Sequence, residues 1–114
     1  MKKVINTNQA PAAIGPYSQA VQAGNLLFVS GQLGLDPSTG EFVEGGVKAQ
    51  AQQLFKNMKA ILAEAGYTMA DIVKTTVFLA DMSDFAVVNE VYAAQFEGGY
   101  PARSAVAIKT LPKD

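Results

Sequence analysis

The chain has 114 residues and a formal net charge of −1, from nine lysines plus arginines against ten acidic residues, with 49% apolar content. That length suits one domain, and that balance supports a buried core and excludes a disordered chain. Cysteine and histidine are absent, which excludes disulfide frameworks, thiol nucleophiles and Ser-His-Asp or Cys-His catalysis, and removes the usual zinc ligands.

In chain order, Lys3-Val-Ile5 reads as an early edge strand. Asn6 to Pro16 is a loop by its Asn, Ala, Pro and Gly content. Tyr17 to Gln22 alternates polar and apolar residues and reads as a half-buried strand. Ala23-Gly24-Asn25 signals a turn, and Leu26 to Ser30 reads as a buried strand, so Tyr17 to Gly31 forms a hairpin. Asp36-Pro37-Ser-Thr-Gly40 is a second turn. Glu41 to Gly46 is a loop or short edge strand. The run Gly40-Glu-Phe-Val-Glu-Gly45-Gly46 has P-loop glycine spacing but lacks the Lys and Ser/Thr that phosphate binding needs. Neither it nor any other segment points to a nucleotide cofactor, and no cofactor is expected.

Val47 to Ala65 carries the strongest helical pattern. Val47, Ala51, Leu54, Met58, Ile61, Leu62 and Ala65 fall on one face, and Gly66 supplies the stop. Lys48, Gln52, Gln53, Lys56 and Lys59 fall on the wet side. Ile72 to Leu79 is β-branched and aromatic, hence a strand. Asp81-Met-Ser-Asp84 begins a second helix, in which Phe85, Val88, Tyr92 and Phe96 recur at helical spacing. Gly98-Gly99 and Pro101 end it, and Ala102 to Ile108 is a final strand. The order β-β-α-β-α-β, with one early strand, predicts an α+β two-layer sandwich in which two helices cover a sheet. Leu26-Leu-Phe-Val29 is apolar at both parities, which favours burial on both sheet faces and points to subunits packing sheet against sheet.

Lysines occur singly or in one pair, so no basic stripe exists for nucleic acid, and nucleic-acid binding is not expected. No signal-peptide layout and no apolar run of bilayer length occur, so a cytosolic protein without a membrane partner is expected. The acids do not cluster at metal-ligand spacing, and no metal site is expected.

Among residues suited to chemistry, Arg103 is the one arginine. A guanidinium binds a carboxylate through two parallel hydrogen bonds, which lysine cannot imitate. Its alternative is a solvated surface arginine. Tyr17, fixed by Gly15-Pro16, can close a pocket or pack as an ordinary aromatic. Ser30 can hydrogen-bond a small substrate, and Gly31 can let a ligand approach the backbone, or the pair can be a plain turn. Ser30 has no histidine base and is not a nucleophile. Asn89 can cap or brace a loop. Glu64, Glu90 and Glu97 lie on predicted helices and read as solvated.

Several motifs together resemble the RidA/YjgF family. They are Ala12-Ala-Ile-Gly-Pro-Tyr-Ser-Gln19, Phe28-Val-Ser-Gly-Gln32, Asp71-Ile-Val-Lys-Thr-Thr-Val77, Phe85-Ala-Val-Val-Asn-Glu-Val-Tyr92, and Pro101-Ala-Arg-Ser-Ala-Val106 followed by Leu111-Pro-Lys113. They cover almost the whole chain in the family's order. The resemblance implies a chorismate-mutase-like fold and a homotrimer with sites in the clefts between subunits. It implies hydrolysis of 2-imino and 2-enamino acids without a cofactor. Arg103 would then bind the substrate carboxylate, and Tyr17, Ser30, Gly31 and Ala105 would line the pocket, with Asn89 in support.

Two departures from the family pattern matter. Position 105 is Ala where some members have Cys, so no thiol step is essential. The family continues past Leu-Pro-Lys with a strand bearing an acid that holds the attacking water. The sequence stops at Asp114, so that strand and acid are expected to be absent. Three other readings stay open: a binding regulator for 2-keto acids and similar carboxylates, an endoribonuclease or translation inhibitor, and a chaperone-like structural trimer.

Overall fold

The computed structural model describes residues 1–113. They group into two compact units, one covering Met1–Thr68 and a second opening at Met69. The fold class is α+β, as the element order predicts.

In the first unit, β1 (Lys2–Ile5), β2 (Ala20–Ala23) and β3 (Leu26–Val29) form an antiparallel sheet in the order β1-β2-β3. The Ala23-Gly24-Asn25 signal is the β2–β3 turn, where Gly24 takes φ 60°. Helix α1 runs Gly46–Ala65. The sheet's pleat sends alternate residues to opposite faces. Ile5, Ala20 and Val29 share one rung, and Leu27 falls on the same face. These pack with Ala10 and with Ala60, Ile61 and Ala65 of α1. The opposite rung of Val4, Val21 and Phe28 faces away, and Val4, Leu26 and Phe28 are 54%, 57% and 62% exposed.

Two sequence expectations shift here. The predicted strand from Tyr17 begins only at Ala20. Gln19 explains this: its buried carboxamide accepts from the Thr7 N–H and donates to the carbonyls of Thr7, Ala10 and Pro11. A side chain thus pins the N-terminal loop where a ladder was expected. On α1 the buried residues are Ala51, Phe55, Asn57, Ile61 and Leu62, while Leu54 and Met58 are half-buried. Asn57 enters the core because its amide donates to the Leu33 and Leu35 carbonyls, at 3.2 and 2.9 Å, and its oxygen accepts from Gln53. That draws Gln53 off the predicted wet side.

Helix α1 ends as predicted. Gly66, at φ 85°, donates to Ala63 O and Tyr67 donates to Leu62 O, which satisfies the last carbonyls. The glycine-spaced run before α1 is loop, joined by one bridge between Leu35 and Phe42.

The second unit contains β4 (Lys74–Leu79), α2 (Phe85–Ala94) and β5 (Ala102–Ala107). The β4 and β5 strands are parallel, with Thr75 opposite Arg103 and Val77 opposite Ala105. A parallel pair needs a crossover, and α2 supplies it. Asp81 accepts from the Ser83 N–H at 2.8 Å and starts a short 3-10 turn, Met82–Asp84, that leads into α2. The helix stops at Ala94, earlier than Gly98-Gly99 suggested, and Gly98 instead takes φ 86° in the following loop. Val88, Val91 and Tyr92 form the buried side of α2.

Candidate functional site

Pairing with β4 sets the direction of β5's side chains. Arg103 and Ala105 share a face with Thr75 and Val77. Thr75 Oγ1 lies 2.7 Å from the Tyr92 hydroxyl, so this face is the one turned toward α2. Arg103 therefore projects along the helix. Its Nη1 donates to Asn89 Oδ1 at 2.7 Å. Its Cζ sits 4.7 Å from the Tyr92 ring centre and 5.4 Å from that of Phe85. Positions 85, 89 and 92 are spaced four and three apart, which places them on one stripe of a helix.

The electrostatics of this arrangement are specific. Asn89 is neutral, and the aromatic faces attract a cation without cancelling its charge. Among the described residues no carboxylate forms an ion pair with Arg103. The guanidinium is held in place, exposed, and still positive. Five N–H donors in a planar fork leave it able to take both oxygens of a carboxylate after the Asn89 bond is made. Ala105 lies two residues further along the same face, half-buried.

The other candidates lie in the first unit. Tyr17 is 53% exposed, and its hydroxyl accepts a long hydrogen bond from the Ile14 N–H at 3.4 Å. Ser30 Oγ donates to the Ser18 carbonyl at 2.7 Å, and its N–H donates to Gln19 O. The Ser30 proton is thus committed, and its lone pairs remain for a donor. A Cβ built on Gly31 meets nothing within 4 Å, so the backbone there is open to a ligand and packing alone does not require glycine. Glu64, Glu90 and Glu97 are exposed, and Glu97 lies beyond the end of α2 rather than on it. Among the described residues no group of three or more acids could hold a metal ion.

The structure thus brings Arg103, Asn89 and Ala105 together, and places Tyr17, Ser30 and Gly31 in the other unit. Sequence reading missed Phe85, Tyr92 and Thr75 as neighbours of Arg103. The available signal was the polar Asn89 set within an aromatic stripe.

The family model described as Endoribonuclease L-PSP matches residues 7–114. The chain is 54% identical over 113 residues to 2-iminobutanoate/2-iminopropanoate deaminase of Mus musculus, spanning 99% of this chain and 84% of that protein. The chain belongs to the RidA/YjgF family. Its backbone follows the RidA fold closely. A RidA crystal structure from an Antarctic Psychrobacter has a TM-score of 0.94 at 55% identity, covering 97% of this chain and 89% of that one. The structure of Escherichia coli TdcF with bound serine has a TM-score of 0.93 at 47% identity, covering 98% and 90%. Among the described residues no helix is long and apolar enough to cross a membrane.

Proposed function

We propose that this RidA-family chain hydrolyses short 2-imino and 2-enamino acids to 2-keto acids and ammonia, with Arg103 binding the substrate carboxylate. The observation that carries the reading is the state of Arg103: ordered by Asn89, Tyr92 and Phe85, yet not neutralised by any described carboxylate. A charged fork held in this way suits a planar anion. The relatives named as iminobutanoate and iminopropanoate deaminases supply the substrate class.

In the reaction, water oxygen bonds to the imine carbon while the C=N pair moves onto nitrogen. One water proton passes to nitrogen to give a carbinolamine, the second passes from its hydroxyl to the nitrogen as the C–N bond breaks, and ammonia leaves behind a C=O. An enamine substrate first takes a proton at carbon and releases one from nitrogen to become the imine. Arg103 fixes the carboxylate next to the reacting carbon, so the gain over free solution comes from orientation and electrostatics. The reading also gives pocket-lining roles to Tyr17, Ser30, the Gly31 backbone and Ala105, with two subunits contributing to each site.

A homotrimer belongs to the same proposal. Its support is the apolar outer face of β1–β3, where Val4, Leu26 and Phe28 are more than half exposed. Large apolar side chains gathered on one sheet face mark an association surface. A single RidA-type domain and a cytosolic setting complete the reading.

A binding protein for small carboxylates without turnover is the second reading, and the serine bound in Escherichia coli TdcF favours it. One experiment separates the two. A serine/threonine dehydratase generates the imino acid in place, and ammonia and keto acid are followed with and without this protein. Faster release supports the deaminase. Unchanged release from protein that still binds 2-ketobutyrate supports the binder.

A further inference from the structure

We propose that Thr75 and Tyr92 form a positioning pair for Arg103, setting the guanidinium through the Tyr92 ring. As a contribution to catalysis this rests on the deaminase reading above. As a statement about geometry it does not.

Thr75 and Arg103 occupy the same rung of the β4–β5 pair and point to the same side. Tyr92 spans from α2 to that rung. Its hydroxyl meets Thr75 Oγ1 at 2.7 Å, and its ring lies under the guanidinium, with 4.7 Å from ring centre to Cζ. The tether point and the stacked cation therefore belong to neighbouring residues of one rung. A ring tied there keeps a fixed relation to Arg103 even if α2 shifts against the strands.

Tyr92 cannot act on substrate directly. It is 4% exposed, its hydroxyl is taken by Thr75, and its ring packs against Phe96 at 5.0 Å between centres. What it presents outward is a π face, and that face meets Arg103. Asn89, one turn earlier on the same helix, fixes the guanidinium by its edge. Edge and face together remove the freedom that a long arginine side chain would otherwise lose only on binding, and such pre-ordering raises affinity for the ligand. The hydroxyl pair earns no benefit for the core that a matched apolar pair would lack, because replacing both partners of a buried hydrogen bond by same-shape apolar groups is close to neutral. Its distinct effect is to hold the ring's orientation.

The test uses the fact that Arg103 is the one arginine in the chain. A proton–nitrogen correlation spectrum of the intact protein therefore carries a single arginine Nε–Hε peak, displaced by the ring currents of Tyr92 and Phe85. The variants are Thr75→Val, Thr75→Ser, Tyr92→Phe and the double Thr75→Val/Tyr92→Phe, all close in shape to the original residues. In Thr75→Val and Tyr92→Phe the peak moves toward the position of a free arginine. The KM for the imino acid and the Kd for 2-ketobutyrate rise together, about threefold to tenfold, the range set by a partly lost cation–π contact, while kcat changes less. Thr75→Ser keeps its hydroxyl and restores both. The double variant is no worse than either single one, since each breaks the same tether.

An unmoved peak with unchanged KM and Kd in both single variants overturns the proposal, as does an additive loss in the double variant. Arg103→Ala separates the two levels. If that variant keeps full deaminase activity while the peak moves in the Thr75 and Tyr92 variants, the pair positions Arg103 and the substrate-binding role of Arg103 falls. If Arg103→Ala is inactive and the peak stays fixed, the deaminase reading stands and the positioning pair falls.

Discussion

Asn89 accepts a 2.7 Å hydrogen bond from Arg103 and leaves its positive charge uncancelled. A carboxylate in the same place would make an equally short bond and compete with the substrate for the guanidinium. Asn89→Ala frees the side chain and weakens 2-ketobutyrate binding severalfold, on the order of 1 kcal/mol, because the ordering of the guanidinium is lost and not a bond to the ligand. Asn89→Asp weakens it further, although it restores the hydrogen bond. Titration calorimetry on the two variants checks the order. Tighter binding in the Asp variant would show that the amide's neutrality is irrelevant.

Asn57 is fully buried and serves the Leu33 and Leu35 carbonyls. Asn57→Leu removes those donors and leaves the carbonyls unmatched, at a cost of about 1–3 kcal/mol for each buried group so orphaned. Gly34 lies between these two residues, and a Cβ there would meet Gln50 Cα at 2.5 Å and its carbonyl oxygen at 2.6 Å. Backbone atoms cannot swing aside, so Gly34→Ala forces this segment away from α1, costing about 1–3 kcal/mol. Thermal unfolding places both variants below the parent. An unaltered melting temperature in Gly34→Ala would mean that the segment is not packed on the helix in solution.

The acid limit of stability should respond to Asp36 and Asp81. The Asp36 carboxylate accepts from the Ser38 hydroxyl and N–H, and Asp81 accepts from the Ser83 N–H. These bonds hold both carboxyls below their ordinary value of 3.8. A carboxyl whose folded pKa is lowered stabilises the fold above the unfolded value, and that contribution fades as pH falls through the folded one. The stability difference between the parent and Asp36→Asn or Asp81→Asn is therefore fully present at neutral pH and disappears in acid below 3.8. Both carboxyls are exposed, so the difference is small. Denaturant titrations at several pH values measure it. A gap that widens in acid would contradict the assignment.

Phe28 stands 62% exposed on the outer rung with Val4 and Val21. Phe28→Lys puts a charge on the proposed association face without touching the α1 side. Sedimentation should show a trimer for the parent and smaller species for the variant, with a retained helical signal. A monomeric parent would remove the trimer from the account.

Much of this was legible in the sequence, and the exceptions have a common cause. Hydrophobic period placed α1, the β2–β3 hairpin, β4, α2 and β5, because each apolar pattern matches one periodicity. Arg103 was legible as a candidate because it is the sole guanidinium, and Asn89 as a brace. What period could not show was polar burial. Gln19 and Asn57 both read as surface residues by type, yet each enters the core by matching several backbone groups at once. Tyr92 was visible as part of an apolar stripe, but its link to Thr75 and Arg103 depends on the parallel register of β4 and β5. That register joins residues 28 positions apart, which no local pattern encodes.

The most direct test of the account is keto-acid release from dehydratase-generated imino acid in the presence of the parent, Arg103→Lys and Arg103→Ala. The parent is expected to accelerate release. Arg103→Lys keeps the charge but not the two-pronged geometry, and should lose most of the acceleration by a higher KM. Arg103→Ala should lose nearly all of it. Acceleration by folded Arg103→Ala equal to that of the parent would contradict the claim that Arg103 holds the substrate.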